Sequence, residues 1–139
     1  MTTYNTNLAA EFCVLSVLHR LGAEANLTLG NKKAVDILVA LGKGKALTVD
    51  VKGVAGPNDW PAENIRLPAP TNHFYVFVCF EGKIADPEVV PSTWIIPGSK
   101  VAAFIKRYNV RCVVSRALIK LKGQPYRNAW GRIVGGRAA

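Results

Sequence analysis

Apolar residues recur at helical spacing near the start of the chain. Leu8, Phe12, Leu15 and Leu18 form a stripe that Val14, Val17 and Leu21 widen. The pattern predicts a helix over Leu8–Leu21, capped by Asn5, Thr6 or Asn7 and ended by Gly22. The period then changes. Ala23–Leu29 reads as a short edge strand and Gly30-Asn31-Lys32 as a turn. Ala34–Leu41 and Lys45–Lys52 read as two strands joined through Gly42-Lys43-Gly44. Residues 53–72 contain two Gly and four Pro with little periodicity, so they form a long loop. His73–Phe80 is strongly apolar, as a central strand buried on both faces must be. Ser92–Ile96 is a further strand, and a helix follows from Gly98 or Ser99 to about Tyr108. Asn109–Ile119 returns as a strand, and the tail with Tyr126 and Trp130 docks as a short helix or extended arm. The order predicts one α/β (α+β) domain over 1–139, an N-terminal helix followed by a mixed sheet flanked by helices.

Alternation along the two-strand unit has a chemical consequence. Asp50 and Lys52 share one face of their strand, with Val49 and Val51 on the other. On the partner, Val35, Ile37, Val39 and Leu41 share a face that Asp36 does not. The two apolar faces coincide only if paired residue numbers have an even sum. A three-residue loop at Gly42–Gly44 pairs Leu41 with Lys45, Val39 with Leu47 and Val35 with Val51, and sets Asp36 opposite Asp50. A two-residue loop would put the carboxylates on opposite faces. Carboxylates at cross-strand distance repel unless a cation sits between them or one is protonated. Lys52 supplies one charge, and oxygen ligands of this kind suit Mg²⁺ or Mn²⁺. Two readings stay open from spacing alone: a metal-dependent phosphodiesterase centre, or a surface Asp-Asp-Lys cluster with no chemistry.

Glu11 lies in the apolar stripe of the helix, where an unpaired carboxylate is rare. It either supports a core contact, pairs with Arg20 or Lys52, or completes the metal site. Composition adds a partner class. The net charge is +9, and residues 1–88 are near neutral, with eight Lys/Arg and nine Asp/Glu. Residues 89–139 hold the other ten Lys/Arg and no acid, an asymmetry that suits phosphate backbones. Lys106, Arg107, Arg111, Arg116, Lys120 and Lys122 are the candidate phosphate contacts, with 120–139 a basic C-terminal part of the same domain. No apolar run is long enough to span a bilayer and the polar start lacks a basic signal-peptide region, so a cytoplasmic protein is expected. Cys13, Cys79 and Cys112 match no zinc spacing and read as small buried hydrophobes.

These residues together resemble the PD-(D/E)xK nuclease superfamily, a restriction-endonuclease-like group, and within it most nearly the archaeal-type Holliday-junction resolvases. The likeness rests on Ala10-Glu11-Phe12, Ala34-Val35-Asp36-Ile37-Leu38-Val39 and Thr48-Val49-Asp50-Val51-Lys52. Phe74–Val78 and Thr93-Trp94-Ile95-Ile96 follow as the next strands, so the resemblance covers about residues 8–97. It implies that Asp36 and Asp50 bind Mg²⁺ or Mn²⁺, that Lys52 is catalytic, and that Glu11 is a supporting acid and metal ligand. Val35 stands where the motif has proline, Asp50 where resolvases have Glu, and the Pro-rich loop 53–72 where they have a helix. The expected activity is a DNA endonuclease, possible structure selectivity and a homodimer included. The alternative is an inactive nuclease-like fold that binds nucleic acid or a protein partner.

Three smaller features complete the reading. Trp60 beside Arg66 in the loop either stacks on a base or packs back to anchor the loop. Gly98-Ser99-Lys100 is a phosphate-binding helix start or a plain cap. His19 and His73 lack ligand spacing and read as structural or surface residues.

Overall fold

The first helix forms where a capping residue meets an apolar face, and it begins earlier than the periodicity suggests. In the computed structural model, which describes residues 2–28 and 35–135, α1 spans Thr3–Arg20. Thr2 caps it by accepting the Asn5 N–H at 3.1 Å, so the expected caps at Asn5, Thr6 and Asn7 are corrected. Its buried stripe is Ala10, Val14 and Leu18, whereas Phe12 is 53% exposed. The expected stripe holds at Val14 and Leu18, with Leu15 and Leu21 packed against the core, and fails at Phe12. The reason is a close approach: a Cβ on Gly53 would stand 2.6 Å from the Ala10 Cβ. A helix lying that near a strand turns its small residue inward and its large one out.

After α1 come β1 (Glu24–Leu27), β2 (Ile37–Gly42) and β3 (Lys45–Val54). The expected turn Gly30-Asn31-Lys32, with Leu29 and Ala34 at the adjoining strand ends, lies outside the described residues. The even-sum register of β2 on β3 is present: Ile37 pairs with Val49, Leu38 with Thr48 and Val39 with Leu47. The turn that produces it differs from the expected one. Gly42, not Leu41, pairs with Lys45, around a two-residue turn in which Lys43 and Gly44 have φ of 55° and 75°. The register shifts between Ala40 and Gly42, so a bulge at Leu41 restores the even sum that the short turn alone would break.

The loop after β3 is not structureless. Within it β4 (Trp60–Pro61) pairs with β8 (Arg111–Val114), which also pairs with β7 (Ile105–Tyr108). The main chain then enters β5 (His73–Cys79), parallel to β3, and β6 (Ser92–Pro97), antiparallel to β5. Among the described residues there are thus two sheets, ordered β1-β2-β3-β5-β6 and β4-β8-β7. The helix expected from Gly98 to Tyr108 is a 3-10 helix over Gly98–Phe104 followed by β7. The strand expected over Asn109–Ile119 ends at Val114, and α2 (Arg116–Lys122) follows, capped by Ser115 Oγ accepting the Leu118 N–H. Short alternating and helical runs overlap here, and the hairpin turn at Asn109 (φ 42°) with the Ser115 cap decides between them. The tail is a 3-10 turn at Gln124–Tyr126 and α3 (Gly131–Val134).

The large sheet lies between two apolar layers. On one side Val49, Val51, Val76 and Val78 meet α1 and Ile133 and Val134 of α3. On the other, Tyr75, Phe77, Trp94 and Ile96 meet the small sheet, the 3-10 helix and Ile119 of α2. Trp60 is the key of the second layer. It is fully buried, lies edge-on to Phe77 and Trp94 at 5.5 and 5.9 Å, and donates from Nε1 to the Val78 carbonyl at 3.0 Å. A base-stacking Trp60 is therefore corrected: neither ring face is open. Trp60→Ala should lower the free energy of unfolding by about 3–5 kcal/mol in urea titrations, as loss of a large buried aromatic does.

Candidate active site

The geometry around Asp36 grows from the end of the β2–β3 ladder. Asp36 sits one residue before β2, and its own N–H bonds to the Val49 carbonyl at 3.1 Å. Its carboxylate Oδ2 accepts the Val51 N–H at 2.7 Å. Asp36 thus brackets Asp50, with its main chain on the residue before and its side chain on the residue after. Its side chain stands in for the main-chain partner that the Val51 N–H would have in a continued ladder.

Asp50 and Lys52 point away from the α1 layer, toward the face that carries Tyr75 and Phe77, their register partners on β5. Asp50 is largely buried. Lys52 is half-buried and lines a cleft of about 440 Å³ with Asn7 of α1, the end of β3, and Asn58, Asp59, Glu63 and Asn64 of the long loop. Glu11 is 8% exposed on α1, one turn beyond Asn7. Among the described residues no group of three or more His, Cys, Asp or Glu is close enough to hold a metal ion by itself.

Sequence reasoning missed one neighbour of Asp50. The spacing of His73 suggests a structural or surface residue, but its side chain is fully buried and Nε2 lies 3.2 Å from Asp50 Oδ2. Its Nδ1 is 2.6 Å from Thr48 Oγ1. The only signal for this was the parallel pairing of β3 with β5, which local pattern does not reveal. Tyr75 packs edge-on to that ring at 4.7 Å, and burial, aided by the Asp50 charge, pushes its phenol above the ordinary range. His19, by contrast, is structural, its Nε2 2.7 Å from the Ala25 carbonyl.

The basic residues divide. Arg66, Lys106, Arg107, Arg111, Lys120 and Lys122 are exposed and open to phosphates. The hairpin bearing Lys106, Arg107 and Arg111 continues the cleft wall, because β4 is hydrogen-bonded to β8. Arg116 is corrected to a structural role. Its guanidinium holds Glu81 at 2.8 Å and reaches Cys79 Sγ at 3.3 Å, and its N–H donates to Asp59 Oδ1 at 2.8 Å. Gly98 is buried at the start of the 3-10 helix, where no side chain caps. The three cysteines are free thiols, and burial raises those of Cys13 and Cys79.

No family model matches the sequence, and no curated protein matches it. Among solved structures, a bacterial homing endonuclease, I-Ssp6803I, matches over 99% of this chain and 94% of its own, with a TM-score of 0.61 and 16% identity. The two chains share a fold. The mixed α/β class read from the sequence is the class of that shared fold, and the likeness covers nearly the whole chain. No helix among the described residues is long and apolar enough to cross a membrane.

Glu81 supplies a test of the Arg116 assignment. Partial burial raises its carboxyl, but hydrogen bonds from Ser92 and Cys79 and the Arg116 charge outweigh this and hold it below the ordinary 4.5. A depressed folded pKa stabilises above the unfolded value and is lost as pH falls through the folded one. Arg116→Ala should therefore destabilise by about 1–3 kcal/mol at neutral pH. In calorimetric unfolding the gap to wild type should narrow as the pH drops below 4.5.

Proposed function

We propose that this protein is a Mg²⁺- or Mn²⁺-dependent endonuclease of the PD-(D/E)xK type that hydrolyses DNA phosphodiester bonds. The observation that carries the reading is the bracket at Asp36, whose carboxylate is tied at 2.7 Å to the N–H between Asp50 and Lys52, on a chain with an endonuclease fold. The donor chemistry fits the cation: Mg²⁺ is commonly held by one or two carboxylates with substrate phosphate and water filling the rest. Asp36 and Asp50 would hold it, with Glu11 as supporting acid. Such a cation supplies Lewis acidity toward the phosphate and lowers the pKa of a bound water.

The chain's own residues do the remainder. Lys52, which lines the cleft, stabilises charge that develops on a non-bridging phosphate oxygen. Burial of Asp50 strengthens its interaction with any cation by lowering the local dielectric. The exposed Lys106, Arg107, Arg111, Lys120, Lys122 and Arg66 grip the backbone, and a symmetric dimer would suit cutting of both strands.

Purified protein with Mn²⁺ should nick supercoiled plasmid, and Asp50→Asn and Lys52→Ala should each reduce the rate to background. Cleavage that survives both substitutions would place the centre elsewhere. Calorimetric titration with Mn²⁺ should show binding to wild type and loss of it in Asp36→Ala. DNA binding without Mn²⁺ affinity or turnover would instead favour a nuclease-like fold used for binding alone. Lys106→Ala should weaken DNA binding about uniformly across sequences and reduce the log–log salt slope by about 1.

A further inference from the structure

The first residue of β5 has a place that fold stability does not account for. His73 is fully buried, and its Nε2 has no aligned hydrogen-bond partner. That nitrogen lies 3.2 Å from Asp50 Oδ2, a close contact off the line of a hydrogen bond that a small turn of either side chain would align. A buried polar atom without a partner opposes folding, whereas an apolar side chain of similar size would not. The position arises from the parallel register that pairs Thr48 with His73, because Thr48 and Asp50 share one face of β3. Two contacts hold the ring there: Thr48 Oγ1 at Nδ1, 2.6 Å away, and Tyr75 edge-on at 4.7 Å.

The Asp50 carboxylate favours one tautomer. With the ring proton on Nε2, on the Asp50 side, Nδ1 is an acceptor and the Thr48 hydroxyl, which can donate or accept, donates to it. The opposite tautomer would set a lone pair against a negative oxygen.

We propose that His73 is a positioning residue for Asp50. Its Nε2 proton holds Oδ2 and fixes the carboxylate's orientation, while Thr48 donates to Nδ1; Asp50 so oriented would be one of the residues to hold the cation. This rests on the nuclease reading of Asp50, and it adds a support behind the ligand. Partners of that kind commonly change metal affinity or activity by about 10–100-fold when removed.

The first measurement needs no metal. Nitrogen-15 NMR of the wild-type imidazole should report His73 protonated at Nε2 and bare at Nδ1, and Thr48→Val should weaken that preference. The second is calorimetry with Mn²⁺. His73→Leu should bind it about 10–100-fold more weakly, with a melting temperature equal to or above wild type. His73→Gln, which keeps an N–H near the Nε2 position, should restore most of the affinity. An Nε2 that carries no proton in wild type would overturn the proposal, even if His73→Leu failed to fold. So would equal Mn²⁺ affinity in His73→Leu and wild type, or a His73→Gln variant as impaired as His73→Leu. If Asp50→Asn abolishes nicking while His73→Leu leaves Mn²⁺ affinity intact, the proposal alone fails. If wild type binds no Mn²⁺ and Asp50→Asn cuts as wild type does, the nuclease reading fails with it.

Discussion

The candidate site hangs on the register of β2 against β3. Side chains in a strand alternate with a period of two, so a slip of one residue would carry Asp50 and Lys52 into the α1 layer and take Val49 and Val51 out of it. Burying a carboxylate and an ammonium among valines is far less favourable than burying the valines, and this difference selects the register. The turn does not select it. Lys43 and Gly44 make a two-residue turn whose parity is wrong, and the bulge at Leu41 absorbs the mismatch. Hydrophobic burial over the length of the strand outweighs the tidy pairing of one residue.

That same register explains why Asp36 lies outside the regular ladder. Its N–H turns to the Val49 carbonyl, and its carboxylate replaces a main-chain acceptor at the Val51 N–H. A carboxylate that accepts a main-chain hydrogen bond is held in a fixed orientation against the strand beside it. The arrangement fixes Asp36 against the main chain between Asp50 and Lys52.

The loop and the small sheet serve the site as a wall. Trp60 anchors the loop beneath the surface, and the hydrogen bonds of Trp60 and Pro61 to β8 tie the cleft to a hairpin with exposed Lys106, Arg107 and Arg111. Between β3 and β5 this chain uses a two-residue strand, Trp60–Pro61, to fasten the loop. Arg116 and Glu81 brace the other end of the same element, which withdraws Arg116 from the basic surface.

The amino-acid sequence by itself determined what repeats locally. Alternation of valine and isoleucine specified β2 and β3 and their even-sum pairing, and the unbroken apolar run at residues 73–80 specified a strand covered on both sides. Asp36, Asp50 and Lys52 were legible for that reason. Tertiary structure decided everything that depends on distance along the chain. The buried face of α1 turned on Ala10 meeting Gly53, which the sizes of Phe12 and Leu8 obscure. The fate of Trp60 turned on β8, more than fifty residues later. His73 reached Asp50 through a parallel pairing across the long loop, and the partner of a parallel strand leaves no mark in the local pattern. Periodicity records which face of an element is buried; only packing decides which side chains meet there.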